Sequence, residues 1–293
     1  MKQSRSAVTS AWQQAVTELR QQRTPAVLVS VDSIVGSTPR EPGARMIVTA
    51  HHLYGTIGGG NLEYQACRIA RNQLARHQLE RPAEDGLQRF PLGAGLGQCC
   101  GGLVNLMFET LDADSDWAGI TQEDDNLELY LFGAGHVGTA LVRSLCDLPI
   151  NITWIDTRDD MLPEVPSVGV NAICTDTPEA EVDAAASGSY FLVMTHDHSL
   201  DQRLCEQILR RDDYAYFGLI GSLAKRRNFE TRMRRRGLDA QKFGRMTCPI
   251  GIGDISSKQP AQIAIAVAAE ILQVYDRQLR CVQDNADQRE GRA

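Results

Sequence analysis

No stretch of this chain approaches the roughly 18 consecutive apolar residues that a transmembrane helix needs. Its opening residues, MKQSRSAVTSAWQQ, carry no apolar h-region. No secretory signal is therefore expected, and the cytoplasm is the expected compartment. The chain has 8 cysteines but no CxxC pair, which argues against a zinc ribbon or a thioredoxin-like motif. With no leader expected, the thiols are expected to be reduced rather than joined in a disulfide framework. Internal repeats and low-complexity tracts are absent too. Positive charge is in deficit: Lys plus Arg is 30 against 37 for Asp plus Glu, a net charge of −7. That balance argues against broad nucleic-acid binding and against an anionic membrane surface.

What is present is ordinary globular material. The chain has 293 residues, 43% of them apolar and 23% charged, enough for two modest domains with buried cores. Val8, Trp12, Val16 and Leu19 are spaced for an opening amphipathic helix. Strands are predicted at 26–34, 44–50 and 53–60, then a helix at 61–79 with Asn61 as its N-cap. Two more strands flank the glycine-rich turn GAGLGQCCGG, at 93–102. Residues 112–126 are acidic and polar and read as a linker. Beyond them, strands and helices alternate regularly from 127, ending in an alanine-rich helix at 260–279 and a polar tail. Alternation of this kind predicts a parallel sheet covered on both faces. The expected fold is α/β: a small N-terminal α/β domain (1–111), the linker, a Rossmann-like parallel-sheet domain (127–281) and a frayed tail (282–293).

Four motifs carry chemistry. Gly133, Gly135 and Gly138 form a GxGxxG turn between a predicted strand and helix, and Asp156 ends the next strand 18 residues after Gly138. The glycines suit a tight turn, a close pyrophosphate and close helix–strand packing, and Asp156 suits a ribose hydroxyl. A nucleotide is one reading; a bare scaffold or another phosphate ligand fits the same turn, and Arg158 keeps a 2′-phosphate open. In the second motif, five glycines flank adjacent Cys99 and Cys100, preceded by Gln98. Thiolates are soft nucleophiles and ligands, suited to a soft metal or to sulfur chemistry. Two small buried side chains, or a vicinal disulfide, remain alternatives. Third, the loop GSTPREPGARM with Arg40 and Arg45, and the turn GTIGGGNLE with Gly58, Gly59 and Gly60, read as anion-binding turns. Fourth, His196 and Asp197 fall at a strand end that faces a Rossmann crevice. His196 and His198 lack a third ligand nearby, so no metal site is expected. In the basic helix that follows, Lys225 and Arg226 read as phosphate contacts, whereas Arg232, Arg234, Arg235 and Arg236 read as a solvated face.

In this order, GSTPREPGARM, GTIGGGNLE, LGQCCGG, LYLFGAGHVG, MTHDHSLD, GLIGSLAKR and CPIGI resemble the XdhC/CoxI family, the accessory factors of xanthine dehydrogenase and related molybdenum hydroxylases. The matching stretches run from 36 to 252. The resemblance implies a chaperone rather than an enzyme. Such a chaperone binds molybdenum cofactor, protects it, presents it to a cysteine desulfurase for sulfuration, and delivers it to the molybdenum-binding subunit of apo xanthine dehydrogenase. It also implies a homodimer. Cys99 and Cys100 are then candidates for the soft end of the cofactor, and the glycine turns with Arg40 and Arg45, or the Gly133–Gly138 turn, for its phosphate. Two rivals stand beside it. One is an NAD-dependent oxidoreductase, for which His196 and Asp197 are the nearest thing to a hydride-transfer pair. The other is a sulfur carrier using a Cys100 persulfide.

Overall fold

A computed structural model describes residues 11–79, 85–92, 102–112, 115, 117–121, 126–146, 148–164, 166–167, 169–253, 255 and 257–290. The chain divides into two compact units, Ala11–Glu123 and Asp124–Ala293.

The first unit is an antiparallel sheet with a helix on each face. Its strands are β1 (Ala26–Val35), β2 (Arg45–Val48), β3 (Leu53–Gly55), β4 (Gly86–Pro91) and β5 (Leu103–Leu111), in the order β3-β2-β1-β5-β4. Successive strand side chains point to opposite faces, so β1 serves both. Val27, Val29 and Val31 pack with Met46, Leu106 and Phe108 under helix α2 (Gly60–Gln78), which contributes Leu62, Ala66, Ala70 and Leu74. Leu28 and Ile47 face the other way, toward Val16 and Leu19 of helix α1 (Ala11–Gln21). Val8 lies outside the described residues. Two local expectations need correction. Gly59, not Asn61, is the N-cap of α2. The acidic 112–126 stretch is also not all spacer: Trp117 and Ile120, around the short helix α3 (Ala118–Thr121), are buried against α1, and Trp117 Nε1 donates to Asp112 O at 2.8 Å. Two apolar side chains in a polar segment are enough to bring it back onto the sheet.

The second unit is a parallel sheet with helices on both faces. Strands β6 (Leu127–Phe132), β7 (Ile150–Asp156), β8 (Val170–Cys174), β9 (Tyr190–Val193) and β10 (Tyr216–Leu219) run in the order β10-β9-β6-β7-β8. Leu129 and Leu131 pack on helices α4 (His136–Leu145) and α8 (Pro260–Glu290). On the opposite face, Phe132, Phe191 and Phe217 meet helices α5 (Glu179–Ala184), α6 (His198–Arg211) and α7 (Leu223–Arg235). Both faces are covered, which is why these strands read as apolar runs rather than alternating ones. The polar tail was expected to fray, but helix α8 continues to Glu290. Strand order reverses between β6 and β9, and the carboxyl ends of those two strands flank the crevice where open α/β sheets take ligands.

Candidate functional site

In the first unit, the two stretches of the third motif meet the stems of the cysteine loop at one end of the sheet. Residues 36–43 connect β1 to β2, the turn at 56–59 leads from β3 into α2, and Leu92 and Gly102 are the stems of the β4–β5 connection. Packing there is tight. A Cβ on Gly58 would lie 2.5 Å from Pro39 Cβ, and one on Gly102 would lie 2.3 Å from Ser37 O. Leu92 N donates to Gly102 O at 2.8 Å, closing the stems. Gln98, Cys99 and Cys100 lie outside the described residues; Cys100 is two residues along the chain from Gly102.

The anion-binding reading of the glycine turn is corrected by its own helix. Gly58, Gly59 and Gly60 all have positive φ (116°, 71° and 65°), a backbone that turns N–H groups inward. Yet the anion already there is Glu63. Its Oε2 accepts Ile57 N at 3.3 Å, Gly59 N at 3.1 Å and Thr56 Oγ1 at 2.5 Å. The carboxylate reaches back from the first turn of α2 to the N-cap, much as in a capping box. Arg40 packs beside this turn, donating to Thr56 O at 3.5 Å and pairing with Glu41 at 3.3 Å. Arg45 is engaged elsewhere: its guanidinium lies 5.9 Å from the ring centre of Trp12.

In the second unit, the glycine turn sits where the motif predicts, but its three glycines have different jobs. Gly133 has φ +118°, and a Cβ there would be 2.3 Å from Met194 O. A Cβ on Gly138 would be 2.2 Å from Gly133 O, the same oxygen that accepts Trp154 Nε1 at 3.1 Å. Helix, turn and neighbouring strand are therefore in backbone contact, and these two glycines serve packing. Gly135 is different. It caps α4 at an ordinary φ of −73°, and a Cβ there would meet nothing within 4 Å. No side chain caps α4. The helix start is thus open on the side where a phosphate would approach.

Asp156 does not present a free carboxylate to a ribose. Its side chain is 2% exposed. Oδ2 accepts Ala134 N at 2.6 Å and Arg158 Nη2 at 3.0 Å, while Oδ1 accepts Arg158 Nε at 2.9 Å and Arg158 N at 3.1 Å. Burial pushes its pKa up, but the hydrogen bonds from Arg158 and Ala134 outweigh burial and hold the carboxyl below the usual range. The residue clamps the glycine turn to the end of β7. His196 is exposed and reaches the same place: with Asp156, Thr157, Pro178 and Phe132 it lines a depression that has no room for a water molecule. Its neighbour Asp197 is the N-cap of α6, accepting Ser199 N at 2.7 Å. It is therefore engaged in capping rather than in a pair with His196.

Lys225 and Arg226 are also not free for phosphate. Lys225 Nζ donates to Asp201 Oδ2 at 2.6 Å and to Ile220 O at 2.9 Å. Arg226 holds Glu230 at 2.7 Å and Phe243 O at 3.0 Å. Asp201 was missed in the sequence. It is fully buried and also accepts Thr195 N at 3.1 Å and Thr195 Oγ1 at 2.7 Å, tying the end of β9 to α7. The available signal was its place on the apolar stripe of α6, in line with Leu204, Cys205 and Ile208. No group of three His, Cys, Asp or Glu side chains arranged for a metal occurs among the described residues. No helix among them is long and apolar enough to cross a membrane.

An antiparallel α/β unit followed by a parallel Rossmann unit, with an open glycine turn at the strand reversal, defines a two-unit Rossmann-type protein. Sequence profiles sharpen that class. The profile described as the XdhC Rossmann domain matches residues 129–271, and that of the XdhC and CoxI family matches residues 19–82. The chain belongs to the XdhC and CoxI family. It is 26% identical over 265 residues to the uncharacterized protein YqeB of Escherichia coli (strain K12), covering 88% of this chain and 45% of that one. It thus spans about half the length of the curated relative it matches. A crystal structure described as a xanthine dehydrogenase from Bacillus halodurans superposes with a TM-score of 0.72 at 17% identity, covering 90% of this chain and 95% of the other. That likeness establishes a shared fold.

Proposed function

We propose that this protein is an accessory factor in the maturation of a xanthine dehydrogenase-type molybdenum hydroxylase, acting as a carrier of molybdenum cofactor rather than as an enzyme. In this reading it works in the cytoplasm as a homodimer, presents its cargo to a cysteine desulfurase, and passes it to the molybdenum-binding subunit of the apo-hydroxylase. The observation that carries the reading is that the GSTPREPGARM loop, the GTIGGGNLE turn and the stems of the cysteine loop meet at one end of the first unit's sheet, in a chain of this family. The Ser37–Pro39 loop, the Gly58 turn and the stems flanking Cys99 and Cys100 are in contact there. Thiols are the donors a soft metal centre calls for. The open helix start at Gly135 is a second place where a phosphate fits.

An NAD-dependent oxidoreductase is the weaker reading. Its ribose acceptor would be Asp156, which is buried and already takes four hydrogen bonds.

Reconstitution tests the proposal. Apo-hydroxylase made in cells lacking this chain is mixed with sulfurated cofactor, with and without the purified protein. Hydroxylase activity should rise when the protein is present, and Cys99→Ala or Cys100→Ala should remove most of the gain. Activation that is independent of the protein, or equal for both variants and the parent, would count against it.

A further inference from the structure

We propose that the second unit carries a separate binding site for a phosphate-bearing small molecule, between helices α6 and α7. A concavity of about 500 Å³ is lined there by Ser199, Gln202, Arg203, Arg232, Arg235 and Arg236. Its size lies within the range of small-ligand sites. Every one of these side chains has an N–H or O–H to donate, and four are guanidinium groups, whose planar forks match phosphate oxygens.

Charge bookkeeping points to a dianion. Arg203 pairs with Glu179 at 2.6 Å, and Arg236 pairs with Glu206 at 3.1 Å. Arg232 and Arg235 have no carboxylate within ion-pair distance among the described residues. Even with Glu179 and Glu206 set wholly against Arg203 and Arg236, although Arg210 shares Glu206 at 2.7 Å, the four cations leave at least two positive charges, in a chain whose net charge is −7. A phosphate monoester carries about −1.5 to −2 at neutral pH, which matches. Gln202 adds specificity. It is 6% exposed, and its Oε1 accepts Arg232 Nη1 at 3.1 Å, which fixes that guanidinium and leaves the amide NH2 as the donor. The positive end of the α6 macrodipole lies beside Ser199. This site is built from residues that the glycine turn and the cysteine motif do not use, so it stands or falls apart from the cofactor-carrier reading. Phosphate monoester is the shared chemistry of a nucleotide and of a phosphorylated pterin.

Calorimetric titration of the full chain tests it, with inorganic pyrophosphate, adenosine 5′-monophosphate and a pterin phosphate as probes. One probe molecule should bind per chain at low salt. The Arg232→Ala/Arg235→Ala double variant should bind at least about tenfold more weakly, because each charge-assisted contact is worth about that much. Arg277→Ala, on the exposed side of α8, should bind like the parent. Arg232→Lys/Arg235→Lys should fall between, keeping charge but losing the fork. The tighter of the two organic probes identifies the source of the phosphate. If the double variant unfolds, Arg235→Ala alone carries the test, since no side-chain hydrogen bond or ion pair engages Arg235 among the described residues. Equal binding by parent and variant overturns the proposal. So does the absence of phosphate binding alongside binding of an oligoglutamate peptide, which would make the pocket a protein-docking surface.

Discussion

Asp156→Ala is expected to lower the stability of the second unit by about 3 kcal/mol, the cost of leaving the buried Ala134 N–H and the half-buried Arg158 guanidinium without the carboxylate that accepts from both. Its carboxylate is 2% exposed and holds Ala134 N and Arg158 together. For a unit of this size the shift in Tm is roughly 6–12 °C at neutral pH. The effect has a pH signature. Because the folded carboxyl titrates below the ordinary aspartate value of about 3.9, its contribution is fully present above that pH. It is lost as pH falls through the lower, folded value. The gap in Tm between parent and variant should therefore hold from pH 7 to 5 and narrow at pH 3. A ribose-binding Asp156 would behave otherwise: the variant would melt like the parent and lose only nucleotide affinity.

The glycine turn gives the second large effect, and one that separates scaffold from site. Gly133→Ala and Gly138→Ala each place a Cβ within 2.3 Å of a backbone oxygen, which cannot swing aside as a side chain would. Each is expected to cost about 3 kcal/mol or more. Gly133→Ala also forces alanine into a φ of +118°. Gly135→Ala should cost less than about 1 kcal/mol, the usual price of alanine at an N-cap. Its Cβ meets no other atom within 4 Å. A bulkier Gly135→Val, checked by thermal melting and then by hydroxylase activation, should fold but deliver poorly if a phosphate lies over this turn. Normal delivery by that variant would make the turn scaffold alone.

Asp156 and the glycine turn also show where sequence reasoning reaches its limit. Strand and helix order in the second unit was legible because β6, β7 and β9 are short apolar runs set between segments of helical periodicity. The GxGxxG spacing located the turn correctly. What it did not reveal was the use of Asp156. A strand-ending acid reads the same whether it faces a ribose or turns inward to Ala134, 22 residues back. Glu63 is a similar case: the glycines announced an anion nest, and the anion was the chain's own carboxylate, four residues from Gly59. Lys225 looked available because its partner Asp201 lies 24 residues away and is itself hidden on an apolar helix face. In the first unit, the strands were legible from their Val, Ile and Leu content. The return of Trp117 onto α1 was not, since the surrounding acids dominate the composition of that segment. Side-chain commitments made over such distances are set by packing, which periodicity does not encode.

The most direct test of the carrier reading is the pterin content of the protein itself. The full chain is purified from cells that make molybdenum cofactor, and bound pterin is oxidised to its fluorescent form and counted per chain, beside Cys99→Ala/Cys100→Ala. The account predicts near-stoichiometric pterin in the parent and a marked loss in the variant. A parent free of pterin, with the cofactor supplied in excess in those cells, would contradict it.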